Sequence, residues 1–162
     1  ASCADVACEQ EDLDRRLGTA FTTAEPLEPQ RPDGDSTDCD GCLPAVERDQ
    51  ELWRADGVRV IRPRVPLVGP SVLVLPLRHV ASAAALHPQE VMSYAARLRE
   101  VRAAFARQHR SAGLSCFLND GARAGQETPH VHVHVVGRAV DEPQNPFDML
   151  ARRIRARRAP TS

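Results

Sequence analysis

The chain of 162 residues contains no lysine, so every fixed cation is a guanidinium. A GC-rich coding bias is a sufficient cause of that absence. No apolar run approaches a membrane span of about 20 residues, so no membrane partner is expected. The first residues, "ASCADVACEQEDLD", have neither an apolar run nor a basic start, and no signal peptide is expected from them. A net charge of −1 gives no general case for a nucleic-acid partner. No internal repeat is visible. The five cysteines are odd in number. In a chain expected to be cytoplasmic they argue for metal binding or packing rather than a disulfide framework. The length suits one domain with an ordinary core.

Charge is unevenly spread. Residues 1–40 carry 11 acidic and 3 basic side chains, a local balance of −8, whereas the last twelve hold five arginines and no acid. Residues 1–38 are expected to be a poorly ordered acidic leader, because "TTAEPLEPQRPDGDSTD" has too few large apolar groups to offset chain entropy. "DLDRRLGTAF" is a candidate short helix within it, and Cys3 and Cys8 have the wrong spacing for a metal turn. Residues 151–162 form a basic tail, read as the solvated end of a last helix starting at "NPFDML". Contact with phosphate groups is the sharper reading of the same arginines.

Between leader and tail, at 39–150, the pattern is strand, strand, helix, strand, strand. "GVRVIR" (57–62), "SVLVLP" (71–76) and "LSCFLN" (114–119) are short and β-branched or apolar, with Pro and Gly between them. Residues 88–109 read as one long helix: Pro88 suits the first turn, and Val91, Ala95, Leu98, Val101 and Phe105 make a stripe expected to pack into the core. Cys116 is expected in the core as well, and His87 and His109 on the surface. Paired strands around one long helix indicate an α+β fold with an antiparallel sheet.

The fourth strand is unusual. "PHVHVHVVGR" (129–138) places half of the chain's six histidines at alternate positions. On a strand, His130, His132 and His134 share one face, about 6–7 Å apart, while Val131, Val133 and Val135 fill the other. Titrating groups are costly to bury without partners. Incidental histidines on a solvated strand, a metal site and imidazole catalysis are the three readings this pattern admits. Upstream, "DCDGC" holds Cys39 and Cys42 at the spacing that lets one turn present two thiolates to one ion, with Gly41 easing the turn. By itself that is two ligands of four, since no second such pair follows.

"GQETPHVHVHVVGR" resembles the signature of the histidine triad superfamily. "SVLVLPLRHV" is similar to its strand ending in Pro and then His, and "FLNDG" to the strand and turn before its catalytic loop. The resemblance covers about residues 39–140. It implies an antiparallel sheet of about five strands with one long helix, a homodimer, and nucleotidyl transfer to histidine on a small nucleotide substrate. His132 corresponds to the nucleophile that attacks the α-phosphorus, and His134 to the residue that donates to the phosphate oxygens. Gln126 and Asn119 match positions that contact phosphate or sugar. The sugar-phosphate uridylyltransferases of the superfamily have Gln where this chain has His134, so the resemblance is to its hydrolase branches. Its zinc-containing members complete a Cys pair with the His after the Pro-ending strand and with the first triad His. Here these are Cys39, Cys42, His79 and His130, which implies a closed structural zinc site.

The chain departs from that family in three places. Pro63, flanked by Arg62 and Arg64, stands where many members have an Asp that holds the ribose, so two guanidiniums are candidates to meet an added anionic group. Glu127 replaces a hydroxyl residue and is a candidate general acid or a repulsive element toward polyphosphate. Ser71 replaces a further His. These changes point to a specialised substrate. Two other functions share the pattern. One is a non-catalytic nucleotide-binding module stabilised by zinc; the other is a catalytic zinc centre, which would leave the Cys pair without a purpose.

Overall fold

Short runs of valine and leucine that alternate with small or charged residues build the middle of the sheet. In a computed structural model of the chain, residues 39–64 and 70–158 are described. The expected acidic leader, its candidate helix, Cys3 and Cys8 lie outside the described residues, as do residues 65–69 and 159–162. Strands β1 (Glu51–Ala55), β2 (Val58–Ile61), β3 (Ser71–Pro76), β4 (Gly113–Leu118) and β5 (Val133–Arg138) pair antiparallel in the order β1-β2-β3-β5-β4. Helix α1 is Pro44–Asp49, α2 is Pro88–His109 and α3 is Pro146–Arg158. Among the described residues this five-stranded α+β architecture is the one expected. No helix among them is long and apolar enough to cross a membrane.

Register decides which side chains share a face. Val60 pairs with Val74, and Leu73 with His134, which also pairs with Phe117. One face therefore carries Val58, Val60, Val72, Val74 and Val135, covered by Tyr94, Val101 and Phe105 of α2. Each valine buried there contributes on the order of 1.5 kcal/mol or more. The other face carries Ile61, Leu75 and Leu73, roofed by Val46 of α1 and by Leu43.

Helix α2 occupies the expected residues, but its buried face is rotated. Val91 is 53% exposed and Ala95 is exposed, so the expected core stripe fails in its first half. Ser93, Tyr94 and Arg97 turn inward instead. Each is polar and each finds a partner: Ser93 Oγ donates to the Gln89 carbonyl, Tyr94 Oη to the Val131 carbonyl, and Arg97 pairs with Glu100 at 2.8 Å. Bonded polar groups can occupy core positions that an apolar stripe does not mark. Cys116 is likewise exposed rather than in the core, because β4 is an edge strand with a neighbour on one side only.

Strand β1 and helix α1 were not anticipated. "ELWRA" carries Glu51 and Arg54, which mask a strand whose inward residue, Trp53, packs against the valine core and donates to Glu100 at 2.9 Å. The signal available was Asp56-Gly57: both adopt positive φ (50° and 77°), the conformation a two-residue hairpin turn demands. Helix α3 begins as "NPFDML" suggests, with Asn145 Oδ1 accepting the Phe147 N–H and Met149 fully buried. It continues through Arg158, with Arg152 and Arg155 exposed.

Candidate functional site

The three alternating histidines do not all lie in the ladder. Strand β5 starts at Val133, so residues 129–132 approach it outside the ladder, through a bend in which the His130 N–H donates to the Thr128 carbonyl at 2.8 Å. The Val131 N–H donates to the Val80 carbonyl at 2.6 Å, and the Val131 carbonyl accepts from the buried Tyr94 hydroxyl at 3.3 Å. The alternation survives, since Val131 and Val135 are buried while His132 and His134 come together on the other side.

His130 turns into a cluster of donors. Its Nδ1 lies 3.6 Å from Cys39 Sγ and 3.4 Å from Cys42 Sγ, and His79 Nδ1 lies 3.4 Å from Cys42 Sγ. The four candidate ligand atoms all fall within 4.8 Å of one another. Zinc–sulfur and zinc–nitrogen bonds of about 2.3 and 2.0–2.1 Å at tetrahedral angles put S and N about 3.5 Å apart, so the spacing is that of one shared ion. The His130 Nε2–H donates to the Pro76 carbonyl at 2.9 Å, which leaves Nδ1 with its lone pair toward the thiols. Burial is the main reason that His130 titrates low, at about 4, with the Pro76 bond opposing and the charges of His79, Arg59 and His132 assisting. The ring is therefore neutral, as a ligand must be. Burial, then the neighbouring Cys39, push the Cys42 thiol up to about 11, with Arg59 opposing. An incoming ion must displace that proton. Gly41 makes the close turn possible, since a Cβ there would sit 2.9 Å from His130 Nδ1.

Two residues further on, His132 Nδ1 lies 2.8 Å from the His130 carbonyl, and His132 Nε2 lies 3.2 Å from His134 Nε2. A carbonyl only accepts, so Nδ1 carries the hydrogen and the His132 Nε2 of a neutral ring is a bare lone pair. The bond between the rings then requires His134 Nε2–H as donor. Burial, and then His132, hold the His134 pKa below the ordinary range, with Glu127 pulling the other way. The product is one nucleophilic nitrogen with an N–H beside it.

The loop before the triad is internally tied. Gln126 Oε1 accepts the Gly121 N–H at 2.7 Å while Nε2 donates to the Ala81 carbonyl at 2.8 Å, so its amide links the loop to the segment after β3 and keeps one donor hydrogen spare. Asn119 Nδ2 donates to the Gly125 carbonyl at 3.3 Å. Glu127 is exposed and close enough for its charge to act on His134. Arg62 and Arg64 are exposed beyond the end of β2, with Arg62 donating to the Asp49 carbonyl at 3.3 Å. Two strand spacings, about 10 Å, separate the Ile61 end of β2 from His134. The fold thus brings together Cys39, Cys42, His79 and His130 as one group and His132, His134 and Glu127 as another, and it sets Arg62 and Arg64 apart. Reading the sequence did not single out Arg59 or Tyr94. The signal for Arg59 was a lone charge inside "VRVI", all four residues of which are buried.

A family model described as "HIT domain" matches residues 46–141. The bis(5'-nucleosyl)-tetraphosphatase [asymmetrical] of Schizosaccharomyces pombe is 33% identical over 73 residues, covering 45% of this chain and 40% of that protein. An uncharacterized 16.1 kDa HIT-like protein of Mycoplasma pneumoniae is 30% identical over 71 residues, covering 44% of this chain and 49% of that one. The matched stretch spans less than half the length of either curated relative. In fold, a zinc-bound histidine triad family protein of Mycobacterium smegmatis superposes with a TM-score of 0.59 at 24% identity, covering 75% of this chain and 94% of that one.

Proposed function

The chain belongs to the HIT domain family, and from that membership we propose that it hydrolyses a P–X bond of a nucleotide through a covalent nucleotidyl-histidine intermediate. The relationship to a dinucleoside tetraphosphatase supports the hydrolase class. The observation that carries the residue assignment is the hydrogen bond from His132 Nδ1 to the His130 carbonyl, which leaves Nε2 as the attacking atom. In the first step the Nε2 lone pair forms a bond to the α-phosphorus as the bond from phosphorus to the leaving group breaks. The leaving group departs with the electron pair and takes a proton. In the second step water attacks phosphorus and gives up a proton to solvent as the phosphorus–nitrogen bond breaks and its electron pair returns to Nε2. His134 Nε2–H, freed from His132 by the substrate, donates to a phosphate oxygen and stabilises the charge that builds there.

Glu127, exposed and near enough for its charge to act on His134, is assigned the role of protonating the leaving group or selecting a less anionic one. The spare donor of Gln126, with Asn119, serves phosphate or sugar, and Arg62 and Arg64 meet an additional anionic portion of an extended substrate. Zinc is the ion that the Cys39, Cys42, His79 and His130 donor set suits. When bound it supplies a rigid cross-link between the N-terminal turn and the triad, not chemistry on the substrate. A homodimer in the cytoplasm belongs to the same reading.

The test is direct. Protein mixed with nucleoside phosphoramidates, adenylyl sulfate, dinucleoside polyphosphates and sugar nucleotides is quenched and digested, and the His132 peptide is weighed. A nucleotide on His132 is the expected result. The second reading, a nucleotide-binding module, draws on Gln126 being engaged at both ends. Ligand-dependent thermal stabilisation with no adduct on any donor would favour it.

A further inference from the structure

We propose that Arg59 is the positioning residue of the metal centre: its guanidinium holds the Gly41 peptide over His130 and brings a positive charge to the Cys42 side of the site. The inference rests on the metal reading above. Its starting point is a cost. Arg59 is only 5% exposed, in the middle of the buried strand β2, and a buried charge is unfavourable unless it is paired and hydrogen-bonded. One carboxylate fills that role only in part. Glu51 Oε2 forms an ion pair with Arg59 Nη1 at 3.9 Å, too long for a hydrogen bond, while Glu51 Oε1 accepts from Arg54 Nε at 2.5 Å. Arg59 Nε has no partner among the described residues.

Among the described residues, the one direct hydrogen bond of the Arg59 side chain is to the metal turn. Its Nη2 donates to the carbonyl of Gly41, the residue between Cys39 and Cys42 that lies against the His130 ring. Register places Arg59 opposite Leu75, one residue before Pro76, whose carbonyl fixes the Nε2 end of His130. The two neighbouring strands therefore hold the centre from two sides, β2 through the turn and β3 through the ring. The electrostatics agree, since the Arg59 charge reaches both Cys42 and His130. Two thiolates and two neutral imidazoles cancel a divalent cation, but each thiolate keeps acceptor capacity toward N–H donors, and a buried guanidinium is suited to it.

The test compares full-length wild type with Arg59→Met and Arg59→Lys. Zinc dissociation constants are measured by chelator competition, and Co2+ is substituted to record the ligand-field spectrum. Arg59→Met should bind zinc 10- to 100-fold more weakly and show an altered cobalt spectrum, with Arg59→Lys between it and wild type. A side chain that serves folding alone would lower the melting temperature without moving either metal readout. Arg59→Met with zinc affinity within threefold of wild type and an unchanged cobalt spectrum overturns the proposal. If Arg59→Met yields no folded protein, Arg59→Lys decides: a threefold or greater weakening supports the assignment, and wild-type affinity and spectrum overturn it. Wild type that binds zinc only weakly overturns the metal reading itself, and this inference falls with it.

Discussion

His132 and His134 face each other nitrogen to nitrogen at 3.2 Å, and a carbonyl 2.8 Å behind His132 determines which of the two holds the hydrogen. The consequence is a division of labour. His132→Ala should abolish turnover and the covalent adduct while leaving metal content and melting temperature unchanged. His134→Gln retains a donor of different reach and should lower kcat by about 10²–10⁴ with the adduct still forming. Single-turnover kinetics on both variants check this, and a His132→Ala enzyme of full activity would contradict the assignment.

Acid should destabilise the metal-free protein in a defined window. Folded His130 titrates at about 4, against an ordinary 6.5, chiefly because it is buried. Between those values the unfolded chain binds a proton that the folded chain refuses. Stability is therefore complete above pH 6.5 and falls as the pH drops toward 4, by up to on the order of 3 kcal/mol. The lowered pKa of His134 adds in the same direction. Urea titrations of chelator-treated protein at pH 7.5, 6.0 and 5.0 measure the slope. A flat profile would mean that His130 is not buried as described.

Gly41→Ala should be disproportionately harmful for a methyl group. The new Cβ would meet His130 Nδ1 at 2.9 Å and His130 Cβ and Cγ at 3.1 Å, against a ring already fixed by Pro76. Zinc stoichiometry, from about one equivalent in wild type, should fall well below it. Cys39→Ser should do the same through loss of a ligand, and both variants should melt at lower temperature than wild type. Elemental analysis and a thermal scan decide.

Gln126→Ala separates loop support from substrate contact. It leaves the Gly121 N–H and the Ala81 carbonyl without their partner, at a cost of about 1 kcal/mol, and frees the loop from the segment after β3. Limited proteolysis should cut earlier within residues 119–129, and kcat/KM should fall. Unchanged protease resistance would show that the amide does not hold the loop.

Much of the architecture could be read from one dimension because it follows from period and punctuation. Pro88 and a long helical period placed α2 at its observed ends, and the valines of 71–76 and 133–136 gave two central strands. What failed along α2 were positions where a polar side chain found a partner and turned inward. Tyr94 and Arg97 displaced Val91 and Ala95 from the buried face because Val131 and Asp56, distant in sequence, accept from or pair with them. Strand β1 was hidden by Glu51 and Arg54, although Asp56-Gly57 marked its turn. The metal group is visible only as two separate halves in sequence, "CDGC" and scattered histidines. Resemblance joined them, and the 3.4–3.6 Å spacings give that union a physical basis. Arg59 carries no local signal of its role, since nothing nearby shows that its carbonyl partner lies eighteen residues upstream.

His130 looks in two directions at once. Its imidazole belongs to the sulfur-lined pocket, and its peptide oxygen holds the proton on the ring two residues later. Whatever tilts the first tilts the second. A protein stripped of its ion could therefore stay folded and still become slow, because its attacking nitrogen has lost the guide that kept it bare.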